Sequence, residues 1–416
     1  MPTLREKLSA LRREGEREWR FVLATFAASG IGYLGSSAAP AIVSALLEAG
    51  LDYRQAGDLG TIELTTLALA SFLVMPYVPH VSHRRLALGG ALLAAAGLVV
   101  SALSVDFPVM VIGRVLTGVG SGIAISGANA AVAAREDAER IFAIIWTGGG
   151  AITAVLSINL PKVVAGGNYP MGFGALLLLC VVAVPFIRWV PPRPASFGSG
   201  SAADGGTDEA QVSALSVFGS RTLLVLAGVF IFSVGEQALW QFAYTIPVEA
   251  GIDEDLVALS LGFMTLMGMS GGAIAAWLGI RLGRAFPIVA GTLACLAGQW
   301  AYLVAAGSGA LMFGGFFWGF GFFFVSPFQI GLAAAIDRRG RVAVATGAAM
   351  NFGYALGPTI GGRILHHVDP GAFVYVIVSM TLTSLLLQLP MAIHVDRAAR
   401  AEPARNSSGL PAKSDQ

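Results

Sequence analysis

The chain has 416 residues, of which 55% are hydrophobic and only 12% charged, with a mean hydropathy of +0.72; soluble domains carry about 25% charged residues, so a soluble globular protein is excluded. The 26 Lys and Arg against 25 Asp and Glu leave a net charge of +1, which speaks against a nucleic-acid binder, whose domains are strongly basic. The 53 glycines follow no third-residue period, which removes collagen.

A hydrocarbon core about 30 Å thick needs about 20 apolar residues per helix. Twelve such runs are present, at 21–47, 58–79, 86–105, 107–134, 140–165, 170–190, 221–249, 256–279, 286–307, 309–335, 342–366 and 371–394, here helices 1 to 12. Before them, residues 1–20 set Leu4, Leu8 and Leu11 among Arg5, Lys7, Arg12 and Arg13, which reads either as an amphipathic cytoplasmic segment or as a solvated tail. The first run is too long and too polar in its leading flank for a signal peptide. Between helices 6 and 7, residues 191–220 hold Pro191, Pro192, Pro194 and the run GSGSAADGGTDE, a flexible linker. The expected fold is therefore an all-α integral membrane protein, twelve transmembrane helices in two pseudo-symmetric six-helix bundles at 21–190 and 221–395, with a disordered cytoplasmic tail at 396–416.

Basic residues set the orientation. With both termini cytoplasmic, 22 of the 26 are inside, Arg54, Lys162 and Arg363 are outside, and Arg114 is within the membrane. The cytoplasmic side then sums to +8 and the outer side to −6. Richness in Ala, Gly and Arg with only 3 Lys suggests a GC-rich bacterial genome, hence the inner membrane. Cys180 and Cys295 lie inside apolar runs as packing residues, and no metal site is expected.

Three intramembrane charges carry the functional reading. Glu236 lies mid-way along helix 7, where a charge costs at least about 2.5–3.5 kcal/mol; it is expected to carry a proton, the alternative being a protonated packing contact. Glu63 and Arg114 fall at similar depth in helices 2 and 4, about 8–10 Å from the outer surface at 1.5 Å per residue, and are expected to pair, as a breakable proton-coupling pair or a permanent structural one. On helix 7, Gln237, Trp240, Gln241 and Tyr244 recur with Glu236 at spacings of three and four, so one broad face is expected. Tyr33 on helix 1 offers a milder counterpart, and Gln329, Asn351 and Tyr354 are weaker substrate-binding candidates. Lys162 and Arg363 either attract an anionic solute or snorkel to the interface. No nucleophile and base, metal cluster or phosphate loop accompanies these residues, so neither an enzyme nor a cofactor is expected.

The halves also resemble each other. Helix 4 can be laid on helix 10 so that Gly118 meets Gly319 and Gly120 meets Gly321, a repeat typical of secondary transporters. At this point the chain resembles the major facilitator superfamily over nearly its whole length. The loop PYVPHVSHRRLALGG is similar to that family's signature loop and keeps Arg84 and Arg85, with His80 in place of aspartate and Pro76 in place of glycine. The corresponding loop of the second half keeps Arg281, Gly283 and Arg284. The resemblance implies that these loops latch the cytoplasmic gate. Helix 4 reads GRVLTGVGSG, similar to the family's pattern with Arg114 in the arginine position. Helix 11 carries GYALGPTIGG, similar to a Gly-Pro pattern that the family's antiporters place on helix 5, where this chain has GGGAITAVLSINLP.

The expected function is secondary active transport of a small organic solute by alternating access, as proton-coupled uptake. The alternatives are efflux of drugs or metabolites by proton antiport and, from another class, a membrane sensor that transports nothing. The expected partners are the solute, protons and the lipid bilayer, with no nucleic acid, and the protein is expected to be a monomer.

Overall fold

The computed structural model describes residues 4–78, 80–135, 138–192, 219–304, 307–337, 341–367 and 370–407. Every regular element among them is helical, as a backbone without water to bond to requires. Twelve long helices follow in order: α1 (Leu4–Glu48), α2 (Tyr53–Val74), α3 (His83–Leu103), α4 (Phe107–Ala133), α5 (Ala138–Val164), α6 (Tyr169–Ile187), α7 (Ser220–Gln241), α8 (Glu254–Leu278), α9 (Ala285–Leu303), α10 (Ser308–Ile336), α11 (Arg341–His367) and α12 (Pro370–Ser407). Among the described residues, eleven helices are long and apolar enough to cross a membrane. The other, α11, has the length at 27 residues but interrupts its apolar run with Asn351, Tyr354, Pro358 and Thr359.

Helix ends differ from the sequence reading in three places. The segment expected at 1–20 is, from Leu4 on, the start of α1. Likewise α12 continues to Ser407, past the boundary expected at 395, while 408–416 lie outside the described residues, as do 193–218 of the expected linker. Helix 7 was expected to run unbroken to 249, but α7 stops at Gln241 and a short helix, Thr245–Glu249, follows after a turn. Pro247 is the cause: its ring collides with the carbonyl four residues back, that of Ala243, so the chain tightens there with Phe242 and Ala243 N–H groups bonded only three residues back, to Leu239 and Trp240.

Two helix pairs pack through glycine in the same way. In α3–α4, a Cβ added to Gly90 would lie 2.4 Å from the Ala124 nitrogen, and one on Gly120 2.3 Å from the Ala94 nitrogen. In α9–α10, a Cβ on Gly298 would lie 2.1 Å from the Trp318 nitrogen and one on Gly321 2.4 Å from the Cys295 nitrogen. Only glycine lets the backbones approach this closely. Gly120 and Gly321, matched in the helix 4 and helix 10 alignment, hold the same place against α3 and α9.

The chain forms two compact units. The first comprises Met1–Ala202, Gln237–Leu266 and Tyr354–Pro370; the second comprises Ala203–Glu236, Met267–Gly353 and Gly371–Gln416. In the first, Ala24, Ala28, Ala38 and Ala45 of α1 are buried, and α1 packs on α4, α5 and α6. Asp52 opens α2 with a reciprocal cap, its carboxylate accepting from the Gln55 N–H at 2.7 Å and its own N–H donating to Gln55 Oε1 at 3.1 Å.

Candidate functional site

The first unit holds a narrow cleft of about 40 Å³, lined by α1, α2, α4, α6 and the end of α7, with Glu63, Arg114, Gln237 and Gln241 among its polar groups. Arg114 Nη1 donates to Glu63 Oε2 at 2.7 Å, and Nη2 donates to Ser101 Oγ at 2.8 Å. Its guanidinium carbon lies 4.6 Å from the centre of the Phe173 ring, a cation–π contact that covers the flat face of the charge. The arginine is buried, at 5% exposure, and the glutamate is largely covered, at 12%. The sequence expectation of a pair at equal depth is therefore realised as an ion pair whose arginine is tied by hydrogen bonds to α3 and α2.

One glycine makes room for the pair and another for Gln241. A Cβ on Gly35 would stand 1.8 Å from Glu63 Oε1, and one on Gly60 would stand 2.7 Å from Gln241 Nε2. Neither glycine was singled out from sequence, because the need for a missing side chain depends on what approaches from another helix. Opposite the pair, Gln237 is 8% exposed and its Nε2 has no hydrogen-bond partner among the described residues. A buried amide N–H without an acceptor is costly, and here it lines the cleft.

Glu236 faces elsewhere. In the second unit its Oε1 accepts from Gln299 Nε2 at 2.6 Å and from Cys295 Sγ at 3.0 Å, both on α9, and its Oε2 accepts from Trp318 Nε1 of α10 at 2.7 Å. The residue is 5% exposed. Successive helical residues point about 100° apart, so Glu236 and Gln237 do not share the single face the spacing suggested. Cys295, Gln299 and Trp318 were not foreseen as partners, although a buried carboxylate signals that donors must be found for it.

The remaining candidates are dispersed. Trp240 Nε1 donates to the Ser36 carbonyl at 2.9 Å. Tyr244, past the break in helix 7, is buried beside a separate small cavity with Ser37, Pro40, Ser157 and Pro161. Tyr33 is 44% exposed and packs on Trp146, ring centres 6.0 Å apart. Tyr354 is half-buried in the first unit; Asn351 is exposed and Gln329 fully buried in the second. None of these six borders the cleft.

At the end of the first unit that carries the α1–α2 loop, polar contacts join helices of both halves of the sequence. Asp58 Oδ1 accepts from Thr359 Oγ1 at 2.7 Å and lies 3.4 Å from Arg363 Nη2. The Thr359 N–H donates to Thr61 Oγ1 at 3.0 Å, Tyr53 donates to Glu249, and Lys162 pairs with Asp255 at 3.0 Å. Lys162 and Arg363 are thus ion-paired. The Gly-Pro run of helix 11 serves this seam, since a Cβ on Gly362 would lie 2.3 Å from the Tyr53 carbonyl and one on Gly57 2.3 Å from that of Pro358.

The arginines of the two loops expected to latch the gate sit at two helix starts. Arg84 Nε donates to the Val190 carbonyl at 2.9 Å, and Arg85 is exposed. In the second unit the Asp396 carboxylate accepts from the backbone N–H groups of Arg284, at 2.9 Å, and Ala285, at 2.8 Å, an anion on a helix N-terminus. Gly283, at φ +74°, leaves the space: a Cβ there would be 2.5 Å from Asp396 Oδ2. The Arg281 guanidinium carbon lies 5.5 Å from the Trp277 ring centre.

The Major Facilitator Superfamily model matches residues 22–347. The chain belongs to the major facilitator superfamily. Similar solved structures include a nucleoside transporter, NupG, at 12% identity, covering 90% of this chain and 98% of that one with a TM-score of 0.72. A D-xylose–proton symporter matches at 16% identity, over 88% and 96%, TM-score 0.68. A peptide transporter, POT, in complex with sulfate, matches at 13% identity, over 91% and 94%, TM-score 0.67. No curated protein sequence matches the chain. As a major facilitator the protein is a multi-pass membrane transporter, and its twelve helices take that superfamily's fold.

Proposed function

We propose that the protein is a proton-coupled uptake transporter for a small uncharged organic solute, bound in the cleft of the first unit and carried by alternating access in the bacterial inner membrane, with both termini cytoplasmic. The observation that carries this reading is the cleft itself. Its two charges are consumed by one another in the Glu63–Arg114 pair, while the Gln237 amide leaves a buried donor unpaired. A charged solute would meet no free countercharge there, whereas a hydroxyl or carbonyl oxygen would satisfy Gln237, with Gln241 beside it. Nucleoside and D-xylose transporters among the similar structures carry solutes of this kind by their names.

Glu236 is the proton carrier in this reading. Its carboxylate is held by uncharged donors, so it takes up a proton without breaking an ion pair, and the symporter among the similar structures supports proton coupling. The contacts around Asp58, Thr359 and Arg363 close the outer side. The test begins with a thermal-shift screen of the purified protein against nucleosides, pentoses and small peptides, in which a bound solute raises the Tm. Uptake of the stabilising solute is then driven by a pH gradient in proteoliposomes. Glu236→Gln is expected to abolish the gradient-driven component; undiminished gradient-driven uptake in that variant would sink the assignment.

A further inference from the structure

Glu236 is surrounded by groups of two kinds. Trp318 Nε1 can only donate, and it spends its one hydrogen on Oε2 at 2.7 Å. Gln299 has both a donor and an acceptor: its Nε2 donates to Glu236 Oε1 at 2.6 Å, and its Oε1 accepts from Thr381 Oγ1 of α12 at 2.8 Å. Half a turn about the last bond of a glutamine exchanges N and O in nearly the same outline. A threonine hydroxyl donates and accepts as well. The chain Thr381–Gln299–Glu236 therefore has two directions in which every member is satisfied.

We propose that Gln299 and Thr381 form a reversible hydrogen-bond relay that lets Glu236 take up and release its proton without stranding a buried polar group, and that passes its protonation state to α12. With the carboxylate ionised the bonds run from Thr381 to Gln299 to Glu236. When hydronium gives one proton to Glu236 Oε1, breaking its own O–H and leaving water, the new O–H donates to the turned Gln299 Oε1, and Gln299 Nε2 donates to Thr381 Oγ1. The threonine hydrogen moves to a carbonyl one turn back in its own helix, the bond that Thr25, Thr117 and Thr346 already make. No covalent bond other than the O–H is made, and no hydrogen bond is lost.

Burial makes the relay necessary. Gln299 and Thr381 are 0% and 1% exposed, so water cannot substitute for a lost partner at either. On the same face of α12, Ser384 and Gln388 are also buried, and Gln388 Nε2 donates to Ser384 Oγ at 2.8 Å. Two titratable groups of α9 stand on this side: Cys295, at 3.0 Å from Glu236, and Tyr302, whose ring centre lies 5.4 Å from that of Trp318. No Lys, Arg or His of the described residues is ion-paired with it. α10 and α12 contribute only the neutral Trp318 and Thr381 to the network.

This inference rests on Glu236 as the proton carrier, and its test needs no solute. Full-length protein in lipid is stepped from neutral to acidic pH and followed by infrared difference spectroscopy. The wild type is expected to gain a carboxylic acid carbonyl band together with a shifted side-chain amide band, and Glu236→Gln is expected to lose both. Gln299→Leu removes the amide component and keeps the carboxylic one, while Thr381→Val, which retains Gln299, displaces the amide band. The relay is overturned if the Gln299→Leu spectrum superimposes on the wild type, if Thr381→Val leaves the amide band in place, or if that band survives in Glu236→Gln. Persistent gradient-driven uptake in Glu236→Gln, with the wild type and all three variants giving the expected spectra, would instead remove the transport role and leave the relay standing.

Discussion

The side chain that Gly35 lacks is what admits the Glu63 carboxylate to the wall of α1. A Cβ at position 35 overlaps Glu63 Oε1 at 1.8 Å, whereas one at Gly30, on the same helix, meets nothing within 4 Å. Gly35→Ala is therefore expected to push Glu63 off Arg114, at a cost of about 1–3 kcal/mol as an overpacked site, and to reduce uptake at least tenfold. Gly30→Ala is expected to leave uptake within twofold of wild type and thermal stability unchanged or slightly raised, since alanine is the better helix former. Parallel melting and uptake curves check both. The pairing of Glu63 with Arg114 was legible from depth alone. The glycine that houses it, Gly35, was not, because steric need at one residue is set by a partner on another helix.

At the scale of elements, α9 begins under a carboxylate that the chain supplies more than a hundred residues later. Asp396 accepts from two free N–H groups of that helix, and such a cap is worth about 0.5–2 kcal/mol. Asp396→Ala is expected to lower the Tm by a few degrees without changing helical circular dichroism, and Asp396→Asn, which keeps an accepting oxygen, is expected to recover part of the loss. Arg281, Gly283 and Arg284 were visible as a pattern, but nothing in their spacing pointed to Asp396. The break in helix 7 teaches the reverse: Pro247 was on the page, and the hydropathy of the run hid its effect. That break separates Tyr244 from the cleft that Gln237 and Gln241 border.

For the whole molecule, the distribution of Lys and Arg decides which end faces the cytoplasm. The proposed orientation puts Asp253, in the segment before α8, outside, and Arg85, at the start of α3, inside. Both native cysteines are buried, so single substitutions to cysteine at either position report against a quiet background. A membrane-impermeant maleimide applied to intact cells is expected to label Asp253→Cys and to leave Arg85→Cys unlabelled until the membrane is opened. The opposite pattern would invert the topology.

Hydropathy, helix length and charge asymmetry were enough to predict an all-α membrane fold of twelve helices and to single out Glu63, Arg114 and Glu236, because a bilayer penalises every polar residue and so makes its presence conspicuous in one dimension. Direction was beyond them. Glu236 and Gln237 are neighbours in the chain, yet one is gripped by Cys295, Gln299 and Trp318 while the other borders an empty cleft. Which way a side chain points, and whether a polar atom finds a partner there, depends on helix rotation and on contacts between residues far apart in sequence, and only the tertiary structure decides them.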